Sequence, residues 1–206
     1  MKLHWFKIRN RVQRYHQTMI NRYGPASSLA LGWRETEDQL VRFEALAGIG
    51  DLNNYIVLDA GCGYADLYLF LRERYPNLAG YIGIEQVEEL FVKAAARFPE
   101  LDLKHIDFMN YDLPRCDYVL ASGSLNYDVG GKDYIFRAIE TLYQASGIGF
   151  GFNLLREVSG KGPLIAYDPT VILNYCRSLS PKVKMIGDYA PEDFTIFMYR
   201  HPDQVS

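Results

Sequence analysis

The stretch YIVLDAGCG, residues 55–63, most constrains how this chain of 206 residues can fold. Tyr55, Ile56, Val57 and Leu58 make an apolar run of strand length. It ends in an acid, Asp59, and two glycines follow at spacing two, Gly61 and Gly63. Glycine reaches backbone angles closed to other residues and lets the main chain come close to a ligand. The next residues, ADLYLFLRERY, have helical spacing at Leu67, Phe70 and Leu71. Strand, glycine turn and helix in this order form the nucleotide-binding start of a doubly wound sheet.

The acids select the nucleotide. A dinucleotide fingerprint continues to a third glycine, with the pyrophosphate resting on the helix N-terminus. Here Asp66 stands in that third position. Asp59 and Asp66 would flank the phosphates and repel them. The same carboxylates suit a ligand with cationic groups and no phosphate, such as S-adenosylmethionine (SAM), which carries an ammonium and a sulfonium. On these residues the chain resembles the class I SAM-dependent methyltransferases, whose first motif reads acid-x-Gly-x-Gly. It departs from that motif at Ala65, where a third glycine is usual. A strand-to-helix turn that binds nothing is the plain alternative for this segment taken alone.

From Tyr55 onward strands and helices alternate, which predicts a parallel sheet. Strands are expected at 80–85, 101–106, 116–122 and 147–155, with helices at 87–98, 132–145 and 169–179. Two late strands, 182–189 and 194–200, are separated by a short turn with Pro191 and are expected to pair as a hairpin. The expected fold is α/β: a doubly wound, mostly parallel seven-stranded sheet whose last strand is antiparallel, as in the resembled family. Ahead of it, apolar or aromatic residues at Trp5, Ile8, Val12, Tyr15, Met19 and Tyr23 predict an amphipathic helix over 4–23. A second helix is expected at 35–47. Residues 1–50 therefore read as an N-terminal helical cap and 51–206 as the SAM-binding domain.

Three cysteines without CxxC spacing, Cys62, Cys116 and Cys176, argue against a disulfide framework or a zinc site and suit a reducing cytoplasm. No apolar run approaches the ~20 residues that cross a bilayer. Residues 1–34 hold seven basic groups and no acid, while the remaining 172 hold 15 basic and 25 acidic groups. Such a segment docks on its own acidic body as a lid, binds an anionic partner, or only packs and solvates. Its basic residues are interleaved with aromatics, which suits RNA, but the acidic body makes nucleic acid the less favoured partner.

In a doubly wound sheet the ligand lies beyond the carboxyl ends of the strands, at the switch point. The first strand brings Asp59, Gly61, Cys62 and Gly63 there, and Asp59 would accept from the cofactor ammonium. The second ends at Glu85, 22 residues beyond Gly63, where a carboxylate accepts from ribose hydroxyls. The plain alternative is an acid placed to favour the next helix dipole. Gln86 follows, within reach of adenine. The third strand leads into Asp107 and Phe108. The resemblance implies that an acid there accepts from the adenine amino group while its apolar neighbour lies against the ring; the alternative is an Asx turn. The fourth strand ends at Ser122, assigned to the cofactor, and runs into Asn126 and Tyr127. These two are candidates for substrate contact, or equally for the turn chemistry of NYDVGG.

The resemblance implies methyl transfer from SAM to a small molecule or a protein side chain. The stretch after the fourth strand lacks the Asn/Asp-Pro-Pro-aromatic motif of DNA amino methyltransferases and the Pro-Cys pair that attacks C5 of pyrimidines. An NAD(P) oxidoreductase is opposed by Asp66 and the late hairpin. The alternative from another class is a non-catalytic protein of the SAM fold that binds a partner or RNA through its basic N-terminal helix. His4, His16, His105 and His201 are scattered along the chain, and their positions assign no base. Tyr15, Tyr23, Trp33 and Tyr127 are candidates for an aromatic wall.

Overall fold

A computed structural model describes residues 2–24, 36–128, 131, 133–158 and 162–202, with side chains from Val12 in the first helix and from Asp38 in the second. Two helices, α1 (Lys2–Tyr23) and α2 (Thr36–Ala47), precede the first strand. Then follow β1 (Ile56–Ala60), α3 (Asp66–Arg74), β2 (Gly80–Glu85), α4 (Glu88–Arg97), β3 (Asp102–His105), β4 (Cys116–Ala121), α5 (Tyr134–Ala145), β5 (Ser146–Leu155), α6 (Pro169–Leu179), β6 (Lys182–Ile186) and β7 (Asp193–Tyr199). The expected elements are present with ends moved by a few residues. The largest change is in β6, which stops at Ile186. Beyond it, the Arg156 guanidinium donates to the carbonyls of Gly187 and Asp193 and holds the chain out of the ladder. Residues 25–35, with Trp33, and 159–161 of the expected loop lie outside the described residues.

The seven strands form one sheet in the order β3-β2-β1-β4-β5-β7-β6. The strands β1 to β5 pair in parallel, whereas β7 is antiparallel to both β5 and β6. The last strand thus inserts between its two neighbours, and the order reverses between β1 and β4. That is the point where an open α/β sheet leaves a crevice at its carboxyl edge.

Both faces of the sheet are covered, so strand residues alternate between two apolar layers rather than between core and water. Phe150, Phe152, Phe194, Ile196 and Met198 pack with α5 and α6 on one face. Val57, Leu120, Phe197 and Tyr199 pack with Leu67 and Leu71 of α3 on the other. Helix α6 starts as its sequence dictates: Asp168 Oδ1 accepts from the amides of Thr170 and Val171, with Pro169 in the first turn. A cap of this kind is worth about 1 kcal/mol.

The expected boundary near residue 50 does not coincide with a break in the core. Phe43, Leu46 and Ala47 of α2 and Ile49 beyond it belong to the layer of β1, β4 and β7. What separates from that layer is α1, whose Val12 and Ile20 pack instead on Tyr64, Val87 and Leu90. Among the described residues no helix is long and apolar enough to cross a membrane.

Candidate functional site

At the switch point lies a cavity of about 210 Å³. Its floor is the turn after β1. The amides of Gly61 and Cys62 both donate to the carbonyl of Ile84, at 2.8 and 3.0 Å, and the amide of Gly63 donates to Glu85 Oε2 at 2.9 Å. The turn is therefore bonded across to the end of β2. Gly61 and Gly63 have φ of 83° and 57°, in the left-handed region. Ala65 also has a positive φ, 60°, just ahead of α3. An alanine there is disfavoured by roughly 1–2 kcal/mol, and its fully buried methyl, packed near Tyr81, Ala94 and Phe98, offsets part of that.

Beside its left-handed φ, glycine at 61 has a steric reason that the sequence does not show. A Cβ there would overlap the Cβ of Ser124, whose hydroxyl donates to the carbonyl of Ala60. The close approach is made by the chain after β4. Gly61→Ala is expected to destabilise the protein by about 2–4 kcal/mol, the sum of the left-handed penalty and the overlap. Adding Ser124→Gly should recover the steric part alone, as read by urea unfolding of the single and double variants.

Asp59 is 2% exposed and lines the cavity. Its Oδ2 accepts from the Tyr81 hydroxyl at 2.6 Å, while Oδ1 meets no hydrogen-bond partner. Burial pushes its pKa up to about 7; the Tyr81 bond opposes the rise, and the charges of Glu85 and Asp66 add to it. Glu85 is likewise buried, and its pKa is raised by desolvation against backbone hydrogen bonds that lower it. Its oxygens accept from Gly63 and Val87 amides. A carboxylate has about four acceptor sites, so capacity remains toward the cavity. Asp66 is ion-paired with Arg97 at 2.5 Å and borders the same space.

Cys62, Gln86, Phe108 and Ser122 also line the cavity, and the Ser122 hydroxyl is buried with no partner. Asp107 does not line it. Its Oδ1 accepts from the Met109 amide and its Oδ2 from Asn110 Nδ2, so the expected adenine acceptor forms an Asx turn that presents Phe108. Asn126 is 2% exposed and mainly ties the β4 loop to β5, its Oδ1 accepting from the Leu155 amide at 2.9 Å. Tyr127 bridges to Leu164 and stands edge-on to His16, with ring centroids 5.3 Å apart.

Several cavity residues carry no sequence signal for a site. His16 from α1 is 4% exposed and, with Val12, covers one side. Gln39, Arg42 and Phe43 of α2 form another. Arg42 makes a two-pronged ion pair with Asp193 at the start of β7, at 2.6 and 2.7 Å. Tyr81 does not line the cavity but bonds Asp59, and it has a readable pattern, since it shares a strand face with Gly83 and Glu85. Of the other histidines, His105 stacks on Phe91 and His201 is exposed, while the side chain of His4 lies outside the described residues. Tyr15 joins the Tyr127 cluster and Tyr23 is exposed beside Arg22. No metal-binding group of three or more His, Cys, Asp or Glu occurs among the described residues.

No protein-family model matches the sequence, and no curated protein matches it. Solved structures do match. DhpI, in complex with S-adenosylhomocysteine (SAH), superposes with a TM-score of 0.69 at 12% identity, over 95% of this chain and 98% of that one. Magnesium protoporphyrin IX methyltransferase from Synechocystis PCC 6803, with bound SAH, gives 0.61 at 15% identity over 84% of each chain. The cyclase SpnF gives 0.59 at 16% identity over 81% of this chain and 80% of that one. The fold of this chain is that of the class I SAM-dependent methyltransferases.

Proposed function

We propose that the protein binds SAM in the cavity at the β1–β4 switch point and transfers its methyl group to a small molecule or a protein side chain. The observation that carries this reading is Oδ1 of Asp59, a buried carboxylate oxygen with no partner at the edge of a cavity. An acceptor left so is unfavourable by about 1–3 kcal/mol. An ammonium donor answers it, and a pyrophosphate does not. Structural neighbours crystallised with SAH support the same ligand.

In this reading Asp59 accepts from the ammonium and the turn Gly61-Cys62-Gly63 lies along the methionine part. Glu85 takes the ribose hydroxyls with its remaining acceptor sites. Gln86 and Phe108 flank adenine, with Asp107 shaping the turn behind Phe108. Ser122 offers its hydroxyl, and Asn126 and Tyr127 border the acceptor side. Bound SAM supplies an activated methyl group and a ready leaving group. The chain's part is to hold the acceptor in line and to exclude water, for which α1 serves as a cover. The reaction belongs to the cytoplasm, where the three buried thiols stay reduced.

Calorimetric titration with SAM, SAH and NAD tests this. Micromolar binding of SAM and SAH with none of NAD is expected. Asp59 must be ionised to hold the ammonium, so affinity should be about tenfold weaker at pH 6 than at pH 8, given its pKa of about 7. No binding of SAM or SAH would sink the proposal. A second reading, a SAM-fold protein that performs no methyl transfer, draws on the likeness to the cyclase SpnF. Binding of SAM without methylation of any acceptor in a cell extract supplied with labelled SAM would favour it, with the basic α1 as its partner or RNA surface.

A further inference from the structure

The acceptor half of the cavity holds an imidazole that the cofactor reading leaves unused. His16 projects from the middle of α1, is 4% exposed, and borders the same space as Ser122, Asn126 and Tyr127. Its ring is held edge-on between Tyr15, at 5.4 Å, and Tyr127, at 5.3 Å. Of the other titratable groups that line the cavity, Asp38 and Glu157 are more exposed than His16, and the rest have other tasks. Asp59 and Glu85 face the cofactor, Asp66 is paired with Arg97, and Arg42 is paired with Asp193. The Tyr127 hydroxyl is a poor base because burial raises its pKa far above the ordinary value. The Cys62 thiol is likewise held protonated by burial beside two carboxylates.

We propose that His16 faces the transferable methyl group and is the general base of the reaction, so that the acceptor is a hydroxyl or an N–H rather than a proton-free nucleophile such as a thioether or a tertiary amine. This rests on the SAM reading above. The lone pair of the acceptor atom forms the new bond to the methyl carbon, the electrons of the broken carbon–sulfur bond stay on sulfur, and the acceptor's proton passes to a ring nitrogen of His16. The imidazolium then returns that proton to solvent when α1 opens for product release. Positioned bases of this kind contribute about 10²–10⁴-fold in rate.

The test needs no knowledge of the acceptor. SAM and SAH differ by the methyl group and the positive charge on sulfur, and a base beside that charge must sense it. The ring resonances of His16 are followed through a pH titration by ¹H–¹⁵N spectroscopy in the SAH and SAM complexes, with the H16Q variant to assign them. Tyr15 on its own helix and Tyr127 after β4 meet this ring edge-on, and Asp38, Arg42, Asp59, Asp66, Glu85 and Glu157 line the same cavity. They are common to both complexes, so their influence cancels. The expected result is a titration midpoint lower by about one pH unit in the SAM complex, with a neutral ring at pH 7.5. Equal midpoints in the two complexes, or a charged ring at pH 7.5 with SAM bound, would overturn the assignment of His16 alone. Failure of both ligands to bind would instead remove the SAM reading beneath it.

Discussion

Asp59→Asn is expected to weaken SAM binding about 100-fold, the upper worth of a hydrogen bond to a charged group, and at the same time to stabilise the folded protein at neutral pH. The two effects have one cause. The carboxylate sits where desolvation has moved its pKa from 3.8 to about 7. In the unfolded chain it ionises near its ordinary value, so between these limits the native state binds the extra proton and loses stability as pH rises. An asparagine keeps an acceptor for the Tyr81 hydroxyl and carries no charge. The advantage of the variant should therefore be small near pH 4 and grow by up to about 4 kcal/mol by pH 8. Urea unfolding of both proteins at pH 5 and pH 8 reads the stability, and calorimetry reads the affinity. A variant less stable than the parent at pH 8, or one with unchanged affinity for SAM, would contradict the role given to Asp59. Such opposition between stability and function is what a charged group buried for a ligand produces.

Arg42→Met is expected to destabilise the protein by about 3–5 kcal/mol, because it leaves the Asp193 carboxylate buried without its partner. The two side chains are 11% and 6% exposed and join by two short hydrogen bonds. Even with Arg42 in place, burial raises the pKa of Asp193, and the guanidinium only opposes that rise. Without it the carboxyl should protonate more readily, so the deficit of the variant should shrink as pH is lowered. Asp193→Leu in the Arg42→Met background should restore most of the loss, since an apolar pair of similar volume carries no desolvation penalty. Measured unfolding free energies of the two single variants and the double variant close this cycle. A double variant as unstable as Arg42→Met would show that the ion pair is not what fastens α2 to the start of β7.

Much of the fold is legible along the chain. The buried strands have their own apolar runs, α5 and α6 have clear helical spacing, and Asp168-Pro169 marks a helix start in any context. The hairpin near Pro191 implies that the last strand runs backward, and β7 does so. The half of the cavity proposed for the cofactor is equally local in origin. Asp59 and Gly61 to Gly63 are adjacent in sequence, and Glu85 and Gln86 end the neighbouring strand of a parallel pair. Asp107 marks the limit of that reading. Its place after β3 is legible, but Asn110 and the Met109 amide compete for its oxygens, and a one-dimensional pattern does not weigh such competition.

By itself the sequence determined the period of each element, the order in which they alternate and the acidic, glycine-bearing turn, because these depend on residues within one or two turns of chain. Tertiary structure alone decided that α2 belongs to the core, that Ser124 adds a steric reason for glycine at 61, that Tyr81 donates to Asp59, and that His16 and Tyr127 meet over the cavity. The last three of these join residues at least 22 positions apart. Local periodicity says which face of an element is apolar. Which partner that face meets, and which polar atom is left unpaired beside it, is set by the packing of the whole sheet.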